Sequence, residues 1–113
     1  MKYKIITDAI DAINEGKDVP KKIGDFRLKY VSTDGWRGYY EAVATKKSGW
    51  VRIEDGWVTG DWPDAGENAS SKVEKRLSKL ADTLHAEGKE MAMICMPTSN
   101  VFSTCFDVFA RSK

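Results

Sequence analysis

With 18 basic and 17 acidic side chains among 113 residues, the chain carries a formal net charge of +1, so no global field draws it to nucleic acid or to an anionic membrane. Hydrophobic residues make up 42% and charged residues 31%, a balance that excludes disorder and suits a soluble globular protein. This length holds one domain, residues 1–113, and its two cysteines are too few for a disulfide scaffold.

The opening Met1-Lys2-Tyr3-Lys4-Ile5-Ile6 soon meets Asp8 and Asp11. It lacks the apolar core and cleavage site of a secretory signal, and no stretch approaches the roughly 18 apolar residues of a membrane span. A reduced, cytoplasmic protein is expected, with no membrane partner. The first predicted element is a short helix within residues 7–15, capped by Thr7 or Asp8, striped by Ile6, Ile10 and Ile13, and ended at Gly16. Residues 17–24 read as a polar connection in which Pro20 bars a continued helix.

Strand signals follow. Phe26, Leu28 and Tyr30 alternate with Arg27, Lys29 and Val31, a period of two. Further strands are expected at Gly38–Thr45, Trp50–Glu54 and Trp57–Asp61. All four tryptophans sit beside turn residues in Asp34-Gly35-Trp36, Ser48-Gly49-Trp50, Asp55-Gly56-Trp57 and Gly60-Asp61-Trp62. Asp55-Gly56 is a strong signal for a two-residue type I′ hairpin. A three-residue loop at Thr33-Asp34-Gly35 then builds one core face from Phe26, Leu28, Tyr30, Tyr40, Ala42, Ala44, Val51, Ile53 and Val58.

After a loop at 62–70, Ser71 and Glu74 fit a capping box opening the main helix, which runs to about Glu87 and stops at Gly88. Val73, Leu77, Leu80, Ala81 and Leu84 form its apolar stripe, expected to cover the core face of the sheet. Met91–Met96 and Val101–Ala110 read as a closing hairpin, with Cys95 on the face of Phe102, Thr104 and Phe106 and Cys105 on the other. The predicted fold is α+β: a short N-terminal helix, a four-stranded antiparallel meander, one main amphipathic helix packed on it, and a C-terminal β-hairpin.

The sheet face opposite the predicted core is the most informative surface. It gathers Tyr39, Trp50 and Trp57 with Arg27, Lys29, Arg37 and Arg52. Trp, Tyr and Arg dominate protein-binding hot spots, and aromatics interleaved with arginines also suit stacking on unpaired bases. The alternative to both is that the C-terminal hairpin, or a second protomer in a homodimer, covers this face. Beyond it the chain turns acidic, with Glu54, Asp55, Asp61, Asp64 and Glu67 around Trp57 and Trp62 and no Lys or Arg between. Such a loop repels phosphate and attracts a basic protein surface; its spacing lacks the EF-hand pattern. On the helix, Lys72, Lys75, Arg76 and Lys79 read as a solvated face.

Reactive residues are sparse. His85 is the single histidine, Cys95 and Cys105 sit in apolar strands, and nothing in the spacing joins Cys95, His85 and Asp82. Neither a phosphate-binding glycine loop nor metal-ligand spacing is present, so no cofactor, metal or catalytic residue is expected. The sequence therefore reads as a non-enzymatic protein-binding module, an inhibitor or adaptor of the kind encoded by phages and mobile elements. Its expected partner is another protein, met by Trp50, Arg52, Trp57, Asp61, Trp62 and Asp64. The second reading is a single-stranded nucleic-acid binder using Arg27, Lys29, Arg37, Tyr39, Trp50, Arg52 and Trp57.

Overall fold

The computed structural model describes residues 3–33, 37–59, 69–98 and 103–113. In chain order the elements are β1 (Lys4–Ile6), α1 (Asp8–Asn14), β2 (Lys22–Ile23), β3 (Phe26–Thr33), β4 (Arg37–Ala44), a 3₁₀ turn (Lys46–Ser48), β5 (Val51–Thr59), α2 (Ala69–Ala86), β6 (Lys89–Pro97) and β7 (Ser103–Ser112). The run Met91-Ala92-Met93-Ile94-Cys95-Met96 offers no polar face, and β6 accordingly has all six side chains buried. A strand with that pattern needs cover on both sides. It is an inner strand of a four-stranded mixed sheet in the order β1-β6-β7-β5, with β1 parallel to β6 and the other pairs antiparallel. A second, antiparallel sheet has the order β2-β3-β4.

Each face of the mixed sheet has its own core. On one, Leu77, Ala81 and Leu84 of α2 bury Met91, Met93, Cys95, Phe106, Val108 and Ala110, with Val73 and Leu80 at the margin. The helical stripe is thus as expected, although it covers β6 and β7 and not β3 and β4. On the other face, Phe26, Leu28 and Ala42 of the small sheet close over Ile94, Met96, Cys105 and Phe109, with Ile6 and Ala9 alongside. The layers run from α2 through the mixed sheet to the small sheet. Because β5 and β6 both pair antiparallel with β7, they run parallel to each other, and α2 is the crossover that joins them.

The β3–β4 hairpin pairs Phe26 with Ala44, Leu28 with Ala42 and Tyr30 with Tyr40, so these six residues share a face as the sequence predicts. Positions 34–36, where the loop with Gly35 and Trp36 was placed, lie outside the described residues. The four-stranded meander, however, is not formed. After β4 the 3₁₀ turn and Gly49, at φ 78°, carry the chain out of the small sheet, and β5 pairs with β7. Val51 and Ile53 are consequently 64% and 42% exposed and do not join Ala42 and Ala44 in a core.

Asp55-Gly56 also departs from its hairpin reading. Both residues lie inside β5, opposite Asp107 and Phe106, and Gly56 lacks the positive φ that a type I′ turn requires. Glycine is needed there for space: a Cβ on Gly56 would come within 2.7 Å of the Phe106 ring. The ladder shifts between Arg52 and Glu54, leaving Ile53 as the extra residue of a bulge.

Two short strands, β1 and β2, occupy segments read as the chain start and a connection. The main helix begins at Ala69, two residues before the expected Ser71 cap, and it ends as expected before Gly88, whose φ is 74°. Of the C-terminal hairpin, Cys95 pairs with Phe106 on the α2 face and Cys105 faces the small sheet, matching the expected sides. Among the described residues no helix is long and apolar enough to cross a membrane.

Leu77→Ala should cost about 2–5 kcal/mol in urea unfolding, the range for a buried leucine. Gly56→Ala should cost about 1–3 kcal/mol through overpacking against Phe106, and less in a Phe106→Ala background. An equal cost in both backgrounds would point to backbone conformation as the cause.

Candidate functional site

The bulge at Ile53 decides where the charges of β5 go. Residues three apart in a regular strand point to opposite faces, but across the bulge Arg52 and Asp55 come to the same one. There the Arg52 guanidinium donates to Oδ1 of Asp107 at 2.8 Å, to Oδ2 of Asp55 at 2.8 Å, and to Glu41 of β4. Asp107, buried on β7, accepts the Ala42 amide on its other oxygen at 2.7 Å. Two residues along, Cys105 Sγ lies 3.4 Å from the Tyr40 carbonyl oxygen. The inner edge of β4 is thus satisfied by side chains of β7, and Glu54, on the other face of β5, pairs with Arg76 of α2.

Burial pushes the Asp107 carboxyl above its ordinary 3.8, against the downward pull of the Ala42 amide and Arg52. For Arg52, burial acts to lower the pKa, but Asp107, Glu41 and Asp55 together leave it raised. Burial also lifts the Cys95 thiol to about 12 and that of Cys105 to about 11, so both stay protonated at neutral pH and are poor nucleophiles. Cys95 is sealed beneath α2 while His85 and Asp82 are exposed, so these three do not assemble.

Trp50 lies on the core side of the chain, not on the open face expected of it. Its ring is 5.9 Å from that of Phe26, and the Arg111 guanidinium sits 4.2 Å from its centroid. Arg111 is held there by its cross-strand neighbour Glu90, by Asp25 at 3.6 Å and by the Ser48 carbonyl at 3.3 Å. A cleft of about 580 Å³ opens beside them, with Tyr3, Asp8 and His85 on its walls. Burial raises the Tyr3 pKa, with Glu74 adding to the effect. Arg111 is already paired with Glu90 and Asp25, and it lies over one face of the Trp50 ring.

Of the other expected site residues, Arg27 and Lys29 are exposed at odd positions of β3, alternating with the core residues Phe26 and Leu28, and Arg37 and Tyr39 occupy odd register positions of β4. Tyr39 also bridges Thr98 and packs against the second core. Trp57 is placed by its backbone opposite Cys105, and Asp61, Trp62 and Asp64 lie outside the described residues. The predicted protein-binding set is therefore not gathered as one described surface, and the nucleic-acid set divides between two sheets.

A different feature stands out at the far edge of the small sheet. The strand β2 covers β3 only at Phe26 and Arg27, and one further bond joins the Leu28 amide to the Lys21 carbonyl at 2.9 Å. That bond shows that even-numbered residues of β3 direct their amides outward, so the N–H and C=O groups of Tyr30 and Ser32 face away from β4. Among the described residues no strand pairs with this edge beyond Leu28. Beside it runs a groove of about 540 Å³ whose apolar walls include Val19, Pro20, Leu28, Tyr30, Tyr40 and Val43. Tyr30 is 53% exposed, with its ring lying over Gly38 and edge-on to Tyr40, and Val43 is 47% exposed. The sequence reading put Tyr30 inside the core and missed the groove. The available signal was Pro20, which leaves too little chain before Phe26 to pair along an eight-residue β3.

No family model matches this chain, and neither any curated protein nor any solved structure is significantly similar to it. Among the described residues, no group of three or more His, Cys, Asp and Glu side chains converges as a metal site.

Replacing Asp107 by Ala should destabilise the protein by about 1–3 kcal/mol, since it leaves the buried Ala42 amide unpaired and removes one of the three carboxylates on Arg52. The pH dependence has a definite sign. A carboxyl with a raised native pKa favours folding below its ordinary 3.8, and that contribution is lost as pH rises through the native value. Wild type should therefore lose stability relative to Asp107→Asn as pH rises from below 3.8, read by urea unfolding at a series of pH values. The opposite slope would mean that Arg52 outweighs burial.

Proposed function

We propose that this chain is a small protein-binding module that adds an extended segment of its partner to the outer edge of β3. The observation that carries this reading is the edge from Lys29 to Thr33, with which no described strand pairs, flanked by the apolar groove. Exposed strand edges recruit further strands, with main-chain bonds giving affinity and the adjoining groove giving selectivity. The other long edge of the fold is guarded: β5 carries a bulge and the charges of Arg52, Glu54 and Asp55, features that discourage pairing. A module of this kind suits an inhibitor or adaptor, and two unpaired, buried cysteines accord with the cytoplasmic placement we favour for it.

Single-stranded nucleic acid is the second reading, supported by the exposed cations Arg27 and Lys29, with Arg37 and Tyr39 at odd register positions of the neighbouring strand. Glu41 lies opposite Lys29 and opposes phosphate, while Trp50 and Arg52 are engaged elsewhere.

Panning a displayed library of random peptides against the whole chain tests the strand-addition reading. Enriched peptides should slow hydrogen exchange at the Tyr30 and Ser32 amides. Their binding should be lost in Ser32→Pro, which removes an outward amide without breaking the β4 ladder. Enriched peptides that protect other amides, or that bind the proline variant equally well, would reject it.

A further inference from the structure

We infer that the strand accepted at the β3 edge is an acidic one, an extended segment of another protein with carboxylates alternating with apolar side chains. This rests on the strand-addition reading and specifies its partner. Among the described residues, the charges lining the groove are Lys21, Arg27 and Lys29, and no Asp or Glu lines it. All three cations are exposed, and none forms an ion pair with another described residue. The nearest carboxylate across the ladder, Glu41, is opposite Lys29 but is bound by Arg52. The edge therefore holds uncompensated positive charge beside apolar walls.

Register turns that charge into a sequence preference. Residues directly opposite one another on paired strands share a face. A residue opposite Tyr30 lies on the side of Tyr30, Tyr40 and Leu28, where the groove is apolar. Residues flanking it lie on the side of Arg27 and Lys29, where opposite charge is favoured. The positions Lys29–Thr33, with which no described strand pairs, match a segment of about five residues, ~17 Å long. The same cations act against unwanted pairing, since a basic segment meets like charge there. An edge guarded by lysine and arginine stays open to a strand that neutralises it.

The probes are three synthetic peptides of one length, alternating Val with Glu, Gln or Lys, titrated against the whole chain with amide exchange followed by NMR. The Glu peptide should protect the Tyr30 and Ser32 amides and bind about two- to fivefold tighter than the Gln peptide, from one opposite-charge cross-strand pair with Lys29. The Lys peptide should bind weakest, and added salt should narrow the spread. In the double variant Arg27→Glu/Lys29→Glu, shown folded by circular dichroism, the order of Glu and Lys peptides should invert. Equal binding of Glu and Gln peptides at these amides, or an unchanged order in the double variant, overturns the acidic preference while strand addition stands. Protection of neither amide by any peptide overturns both. Displacement of the Glu peptide by an oligothymidylate that itself binds tighter assigns the charge to nucleic acid and also overturns the inference. So does a concentration-dependent dimer in sedimentation that buries the same amides.

Discussion

The two sheets are fastened to each other through one buried carboxylate. Asp107 stands on β7, inside the mixed sheet, and reaches across to the Ala42 amide of β4 while holding Arg52 of β5. Without it the inner edge of β4 would face an apolar layer with unpaired main-chain groups, a costly arrangement. Burial alone would favour a neutral acid at this position. The amide and the guanidinium keep the charged form tolerable, and Glu41 and Asp55 extend the same contact to both sheets. Cys105 does a milder version of the same work on the Tyr40 carbonyl, as a weak donor in a site too dry for a thiolate.

This fastening explains why the small sheet can be so short of strands. Its inner face and inner edge are secured by β6 and β7, so β3 needs no long partner on its outer side to stay in place. Among the described residues, two of the long strands, β5 and β3, consequently have an edge with which no strand pairs along most of its length, and the two edges differ in character. Along β5 the bulge leaves Ile53 exposed and brings Arg52 and Asp55 to the face of Asp107, while Glu54 is tied to α2. Along β3 the ladder simply stops after Leu28, and the groove with Tyr30 begins.

Local periodicity was legible in the chain; the assignment of strands to sheets was not. The face shared by Phe26, Leu28, Tyr30, Tyr40, Ala42 and Ala44 followed from alternation and turn length, and the stripe of α2 followed from its spacing. The meander failed at Asp55-Gly56, because glycine can mark a close approach as well as a turn, and only the position of Phe106 distinguishes them. An apolar run such as Met91–Met96 signals a strand covered on both sides, and that signal argued for placing the closing hairpin at the centre of a sheet. Trp50 and Arg52 looked like surface because their neighbours in sequence alternate; the bulge and the Arg111 contact lie beyond any local pattern. The edge of β3 was hidden for the opposite reason, since an uncovered strand is defined by what fails to arrive beside it.

The place of β7 between β5 and β6 has a consequence for how the protein is made. The strand that pairs with both neighbours is the last of the seven in chain order. During synthesis β5 and α2 leave the ribosome, followed by β6, with the seat between the two strands empty. The mixed sheet cannot close until Ser112 has emerged, and the small sheet lacks its fastening until Asp107 arrives. Nascent chains stalled before β7 would display the apolar faces of β6 and both core clusters half built, the kind of surface that chaperones hold. Closure of the mixed sheet therefore waits for β7, whatever has folded before it.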